Sequence, residues 1–323
     1  MRFPYFILIL LCIWSCNQDS EKEVQAKPDF AIVIHGGAGY ITAERIDSVS
    51  AEAYRDTLNL ALQAGYDILA NGGSALDAVE LTLSILEDCT LFNAGRGSVY
   101  NHKAQQEMDA SIMDGNTLNT GAVAGVRYIK NPIKAARLVM DSSKHVMLAG
   151  RGAEQLAVQY GMQMEDSSYF YDADGYSAIQ KKLKQDKHGT VGAVALDKNG
   201  NLAAATSTGG MFNKKWNRIG DSPIIGAGTY ANNNSCAISC TGTGEYYIRT
   251  VAAHEVSSLM LYKNISLDFA IHQVIFNQIE PLGGEGGMIG IDRNGAIAWD
   301  FNTPGMFRAY KTPEETQVFL FGH

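Results

Sequence analysis

Apolar and polar positions along this chain sort into short strands and amphipathic helices, arranged as two halves of similar layout. In the first half, Phe30 to Ile34 is an apolar strand that runs into a glycine turn, His35-Gly-Gly-Ala-Gly39. The spacing then predicts helices near Ala51 to Ala70 and Ser74 to Glu87. In the second of these, Leu76, Val79, Leu83 and Leu86 recur at helical intervals, and Ser74 with Asp77 makes a capping-box-like start. Strand-like runs follow at Met108 to Met113 and Gly121 to Ile129. A helix near Pro132 to Asp141 carries proline in its first turn. A strand at His145 to Ala149 leads to a helix near Gly152 to Tyr160.

From Met162 to His188 the pattern turns polar, with Glu165, Asp166, Asp172 and Asp174 on its early side. This stretch reads as a mobile connector with one short helix near Ser177 to Lys184. Beyond it, Thr190 to Leu196 and Leu202 to Ser207 flank Asn199-Gly200, and Asn-Gly between apolar runs is a strong hairpin signal. Met288 to Ile291, Asn294-Gly295 and Ala296 to Phe301 repeat the device. Helices near Gly244 to Tyr262 and Ser266 to Gln278 lie between the hairpins. Strands at both ends of each half, with helices between them, predict an α+β fold in which sheets pack face to face under helices.

Composition narrows the possibilities. Hydrophobic residues make up 46% of the 323 positions and charged ones 19%, enough to bury a sizeable core. A formal net charge of −8 argues against nucleic acid as a partner, because phosphate binding needs clustered cations. The basic stretch Lys181 to Lys187 reads as a solvated linker face. The first sixteen residues form a separate module: Arg2 supplies a positive start and Phe6 to Trp14 an apolar segment. Spanning a bilayer takes about 20 apolar residues, so this segment fits a signal peptide instead.

It ends Ile13-Trp14-Ser15-Cys16, which resembles a bacterial lipobox with Cys16 as the lipidated residue; Trp14 is unusual there, and an ordinary secretory signal is the alternative. Either reading predicts an exported protein, with residues 17–28 as a polar tether. Of the remaining cysteines, Cys236 and Cys240 share a predicted strand, about 13 Å apart at about 3.3 Å per residue. A disulfide needs Cα atoms within about 7 Å, so no disulfide framework is implied.

Most catalytic signatures fail. Gly226-Ala-Gly228 precedes Tyr230-Ala-Asn-Asn-Asn, which is no helix start, so the dinucleotide pattern is a chance match. His254-Glu255 lacks the second histidine of a zinc protease helix, and neither a G-x-S-x-G elbow nor a P-loop occurs. What remains is Gly189-Thr190, where the polar connector meets an apolar strand. Were that bond cut, Thr190 would carry its own α-amine, with a reference pKa of about 7.7–8.0. Such an amine can take the hydroxyl proton and return it, so nucleophile and base share one residue. A strand start behind a flexible glycine is the plain alternative for the dipeptide alone.

The blocks around it carry a resemblance. His188-Gly-Thr-Val-Gly-Ala-Val-Ala-Leu-Asp197, Ala205-Thr-Ser-Thr-Gly-Gly210, Asn217-Arg-Ile-Gly-Asp-Ser-Pro223 and Cys240-Thr-Gly-Thr-Gly-Glu245 are similar to the plant-type asparaginase/isoaspartyl peptidase family, which belongs to the N-terminal nucleophile hydrolases. In the first half His35 to Gly39, Leu91-Phe-Asn-Ala-Gly95, Met113-Asp-Gly-Asn116 and Gly121-Ala-Val-Ala-Gly125 agree, in order, over essentially everything after Pro28.

The resemblance implies a four-layer αββα sandwich and a precursor that cleaves itself before Thr190. The products would be an α chain of residues 29–189, with 162–189 as connector, and a β chain of 190–323. It implies Thr190 as nucleophile, Thr208 as the hydroxyl that orients it, and the Thr241 hydroxyl with the Gly242 amide as oxyanion donors. Arg218 and Asp221 would clamp the α-carboxylate and α-ammonium of an aspartyl substrate, Gly244 would share the ammonium, and Asn93 would support the Thr190 amine. No cofactor is implied for catalysis. Leu86, Glu87, Cys89, Phe92, Ala94 and Arg96 are similar to a loop whose carbonyls hold a structural sodium; an ordinary helix-to-loop turn reads equally well.

The implied substrates are L-asparagine and β-aspartyl dipeptides, and the implied assembly is a homodimer of αβ units. Lys214, Lys215 and Trp216, in a stretch that varies within the family, lie next to the clamp and bear on bulky leaving groups. Two alternatives stay open: a glycosylasparaginase, and a lipoprotein that binds an amino acid without reacting.

Overall fold

The computed structural model describes residues 28–181 and 189–322. The expected signal, lipidated Cys16 and residues 17–27 of the tether, with residues 182–188 of the basic stretch, lie outside them. In chain order the elements are β1 (Ala31–Gly39), α1 (Ser48–Ala70), α2 (Ala75–Asp88), β2 (Met108–Asp114), β3 (Thr120–Val126), α3 (Pro132–Ser142), β4 (Met147–Ala149), α4 (Gly150–Gln159) and α5 (Ala173–Gln180). After the connector come β5 (Val191–Leu196), β6 (Leu202–Thr208), β7 (Thr229–Ala231), β8 (Cys236–Gly242), α6 (Gly244–Thr250), α7 (Ala252–Lys263), α8 (Leu267–Val274), β9 (Gly286–Asp292), β10 (Ile297–Phe301), β11 (Gly305–Lys311) and β12 (Thr316–Phe319).

Eight strands form one sheet in the order β12-β11-β1-β5-β6-β2-β3-β4, and four form a second in the order β10-β9-β8-β7. All pairings are antiparallel except β3 with β4, which are joined by the crossover helix α3 that a parallel pair requires. The alternation of strand side chains divides the interior into three apolar clusters. Ile32, Ile34, Ala193, Ala195, Ala203 and Ala205 face helices α1 and α2. Ala31, Val33, Val194, Leu196, Leu202, Ala204, Ala237, Ile289 and Ile291 fill the space between the sheets. Cys236, Ile238, Cys240 and Met288 turn the other way, onto Val256, Ile271 and Val274 of α7 and α8. Helix, sheet, sheet and helix therefore stack as the αββα sandwich.

Several local signals act as the chemistry dictates. Ser74 accepts from the Asp77 amide at 3.1 Å and caps α2, and Pro132 opens α3. Helix α1 begins three residues earlier than the apolar spacing predicts, because Asp47 caps it by accepting from the Val49 and Ser50 amides.

Other expectations are corrected. His35 to Gly39 is not a turn: it continues β1, paired with β11 through a bulge between His35 and Gly37. The helix expected over Gly244 to Tyr262 breaks at Val251, which adopts φ +50°, strained for a β-branched residue. The helix expected to reach Gln278 loosens after Val274 into a π-helical turn, Ile275–Ile279. The early part of the connector is docked: Phe170 is fully buried, Gln106 donates to its carbonyl, and Tyr100 and Asp172 bond each other. Its short helix starts at Ala173, behind an Asp172 cap.

Candidate active site

Thr190 stands immediately before β5, and the alternation that sends Val194 and Leu196 between the sheets sends Thr190 to the same side. On β6 the same parity brings Thr208 beside it, and the Thr190 hydroxyl donates to Thr208 Oγ1 at 3.1 Å. The Gly210 amide donates to that same Thr208 oxygen at 3.0 Å, which orients the Thr208 hydroxyl. The Gly189 carbonyl accepts from Asn93 Nδ2 at 2.9 Å, and Thr208 Oγ1 lies 3.5 Å from it. Asn93 is itself fixed, donating to the Gly210 carbonyl at 2.8 Å and accepting from the Val99 amide at 3.0 Å. In the uncut chain Asn93 thus holds the carbonyl of the Gly189–Thr190 bond.

Gly189 has φ +107°, and a Cβ there would lie 2.6 Å from Gly37 Cα. Only glycine fits between β1 and Thr190 in this backbone shape.

Thr190 and Thr208 open onto a cavity of about 540 Å³. Its wall includes Arg218, Asp221, Gly242 and Thr243 on one side, and Ala38, Tyr40, Arg45, Thr303 and Pro304 elsewhere. Asp221 is 4% exposed, and its Oδ2 has no hydrogen-bond partner among the described residues. Burial raises this carboxyl to about 7, against the opposing pull of Arg218. The carboxylate lies between Gly228 and Gly244, where any Cβ would come within 3 Å of it. This explains the glycines of the Gly226-Ala-Gly228 run without a nucleotide: Gly226 turns the chain at φ +91° and Gly228 makes room for Asp221.

Arg218 does not pair with Asp221 by hydrogen bonds. Its Nε and Nη2 donate to the two oxygens of Glu245, at 2.8 and 2.7 Å. Sequence reasoning quoted Glu245 within a motif and gave it no task.

Thr241 is buried on the inter-sheet side of β8, where its hydroxyl accepts from the Ala38 amide at 3.4 Å, and Gly242 reaches the cavity wall. Behind these residues runs a buried chain of hydroxyls that sequence reading missed. Ser111 donates to Thr229, Thr229 to Thr206, and Thr206 bonds Ser239, which meets His35 Nε2 at 3.0 Å. Burial pushes His35 down to about 3, so its ring is neutral. Strand parity was the available signal, since all four hydroxyl residues and His35 occupy buried strand positions.

The loop after α2 carries Asn93 at its centre. The Leu86 carbonyl accepts from the Cys89 amide, that of Phe92 from Ala94, and that of Ala94 from Gly97. The oxygens of Cys89, Thr90 and Phe92 crowd the position a Cβ on Gly97 would fill, and that of Glu87 does the same at Gly95. The Glu87 side chain turns inward, accepting from Ser207 Oγ at 2.6 Å and the Ile133 amide at 2.9 Å. Burial raises its carboxyl to about 8. Arg96 stacks on Tyr169. Among the described residues, no group of three or more His, Cys, Asp or Glu side chains is placed to hold a metal ion.

In the same segment as Arg218 and Asp221, Phe212 lines the cavity and Trp216 is 93% exposed. Lys214 is buried instead, donating to the Glu107 carbonyl at 2.9 Å.

Comparison with known proteins agrees over nearly the whole described chain. A family model described as asparaginase matches residues 28–320. An isoaspartyl peptidase of Escherichia coli strain K12 is 47% identical over 294 residues, covering 86% of this chain and 92% of its own. A probable isoaspartyl peptidase/L-asparaginase 2 of Arabidopsis thaliana is 39% identical over 323 residues, covering 88% and 96%. An isoaspartyl peptidase/L-asparaginase of Xenopus laevis is 40% identical over 298 residues, covering 90% and 94%.

Proposed function

The chain belongs to the asparaginase family, and from that premise we propose that it hydrolyses β-aspartyl dipeptides and L-asparagine through an ester on Thr190, after cutting its own chain before that residue. The observation that carries this reading is the hydrogen-bonded set at the Gly189–Thr190 bond. Thr190 Oγ donates to Thr208, and Asn93 donates to the carbonyl that must become an oxyanion.

Self-cleavage then runs as follows. Thr190 Oγ attacks the Gly189 carbonyl carbon, Asn93 Nδ2 stabilises the charge on its oxygen, and the C–N bond breaks to leave an ester on Oγ and a free α-amine. Water hydrolyses the ester. Asn93 therefore acts on the scissile carbonyl first, and supports the released amine afterwards.

In turnover the Thr190 amine takes the proton of its own hydroxyl, and the oxygen attacks the side-chain carbonyl of the substrate. The C–N bond then breaks as the amine returns that proton to the departing ammonia or peptide amine, and water hydrolyses the β-aspartyl ester. Thr208 orients the nucleophile, and the Thr241 hydroxyl with the Gly242 amide receives the oxyanion. Loss of one such donor typically costs about 10²–10³ in rate. The α-ammonium meets the unpartnered Asp221 oxygen and the Gly244 carbonyl, and the α-carboxylate meets Arg218. Gripping a free amino-acid head group leaves only a β-linked carbonyl at Thr190. The cavity continues past the clamp, giving room to a leaving group bounded by Tyr40, Phe212 and Pro304.

The family resemblance of the loop supports a structural sodium held by carbonyls of Leu86, Glu87, Cys89, Phe92, Ala94 and Arg96, and an ion bound there would stiffen the loop that carries Asn93. The N-terminal segment supports export with a lipid anchor on Cys16, and the family resemblance supports a dimer of αβ units.

Intact mass and N-terminal sequencing of the expressed protein test the proposal. Two fragments are expected, one beginning at Thr190, with Thr190→Ser cleaving slowly and Thr190→Ala not at all. Fragments from the alanine variant would refute hydroxyl attack. Turnover of β-Asp-Leu against an asparagine-linked glycan separates this reading from a glycosylasparaginase; exclusive glycan cleavage would overturn it. An active-site amino-acid binder that does not react, for which the comparisons give no support, would stay in one piece.

A further inference from the structure

Arg218 sits in a segment, from Gly209 to Gly228, that contains no helix or strand. Three of its non-glycine residues, Asn213, Trp216 and Asn217, have left-handed φ angles, so local backbone regularity does not fix the direction of the arginine. A long arginine side chain left loose forfeits rotamer entropy when a ligand orders it. Glu245, in the first turn of α6, removes that freedom in advance. Its two oxygens engage the Nε–Nη2 edge of the guanidinium in a parallel fork at 2.8 and 2.7 Å.

The fork uses one edge only. Nη1 has no hydrogen-bond partner among the described residues, although Arg218 lines the cavity. Glu245 does not line the cavity, and its side chain is half-exposed outside it. Its carboxylate is therefore behind the guanidinium rather than in the place of a substrate carboxylate. This decides between a brace and a plug.

We propose that Glu245 is a positioning residue for substrate recognition: it braces Arg218 by one edge so that Nη1 and the second hydrogen of Nη2 meet the α-carboxylate of an aspartyl substrate. The inference rests on the reading of Arg218 as the carboxylate partner given above. Glu245 touches neither the substrate nor the reacting atoms, so its removal acts on binding and leaves the chemical step alone.

The test is steady-state kinetics of the mature enzyme with L-asparagine and β-Asp-Leu for wild type, Glu245→Gln and Glu245→Ala. The alanine variant should raise KM about tenfold with kcat within about twofold. Glutamine keeps one oxygen acceptor for the fork and should restore most of the loss. Inhibition by L-aspartate should weaken in parallel in Glu245→Ala. Inhibition by β-alanine, which is aspartate without its α-carboxylate, should not change.

A KM that is unchanged or lowered in both variants would overturn the proposal, a lowered value marking Glu245 as a plug. Equal weakening of L-aspartate and β-alanine would overturn it too, by marking a general structural role. If the alanine variant fails to mature, the glutamine variant with the two inhibitors carries the same test. A wild-type enzyme that cleaves itself yet hydrolyses neither substrate would remove the functional reading, and this inference with it.

Discussion

Replacing Gly189 by alanine tests whether the backbone shape at the Gly189–Thr190 bond is what enables the proposed self-cleavage. At φ +107° an L-residue is strained by about 1–3 kcal/mol. The new methyl would lie 2.6 Å from Gly37 Cα, 3.3 Å from its carbonyl carbon and 3.4 Å from the Ala38 nitrogen. These are backbone atoms of β1, held by pairing with β11, so they cannot swing aside as a side chain would. Overpacking of this kind costs about 1–3 kcal/mol more.

The cheapest relief is movement of residue 189 itself, which takes its carbonyl away from Asn93, 2.9 Å distant in the native chain. A displacement of about 1 Å costs about 10² in rate. Purified precursor should therefore convert to fragments at least about 100-fold more slowly, followed by intact mass over time. Gly200→Ala is the control, since Gly200 also has positive φ (+80°) but a Cβ there would touch nothing within 4 Å. It should lose a little stability and cleave normally. Cleavage of Gly189→Ala at the native rate would refute the argument that glycine is needed for attack geometry.

Two further predictions concern buried carboxyls. Asp221, raised to about 7 chiefly by burial, must be ionised to hold the ammonium, so kcat/KM falls as pH drops through that value. The Thr190 amine, with a reference pKa of about 7.7–8.0, must be neutral and titrates in the same direction. The acid limb should then approach a slope of two in wild type and one in Asp221→Asn, with kcat/KM of the variant lowered about 10- to 100-fold; a slope of two surviving in Asp221→Asn would sink this assignment.

Glu87, raised from 4.5 to about 8, keeps its proton in the folded state while the unfolded chain releases it. Stability therefore falls as pH rises between those values, by a few kcal/mol at most, and levels off above about 8. In an uncut Thr190→Ala background, Glu87→Gln should flatten the decline of Tm between pH 5 and 8; an unchanged slope would show that Glu87 is not the group responsible.

Much of the site was legible because its residues sit in short blocks whose backbone needs are severe. Thr190 and Thr208 fall on one face of two strands joined by an Asn-Gly turn, and alternation alone brings them together. Asp221 and Gly244 are neighbours only through tertiary contact, and there the family resemblance supplied what spacing could not. Glu245 escaped notice because a glutamate in the first turn of a helix is ordinary, and its partner lies 27 positions away.

The fold was read less evenly. Strands β11 and β12 were not predicted: Arg308 is a buried charge in the middle of β11, held by the carbonyls of Met306, Phe321 and Gly322. Strand β7 is only three residues long. The glycines of His35 to Gly39 read as a turn, whereas their missing side chains let β1 pass against Phe92 and Gly189.

Under the proposed cleavage, the order of strands in the large sheet would have a lasting effect on the molecule. Segments from before and after the Gly189–Thr190 bond are dovetailed: β1 is flanked by β11 and β5, and β2 borders β6. Neither piece could leave without tearing out the middle of the sheet, so a protein severed there would hold together with no covalent link. The process is one-way in another sense. A chain that folds as one piece would have to reassemble as two partners meeting at low concentration, so the first complete unfolding after such a cut would end the working life of that molecule.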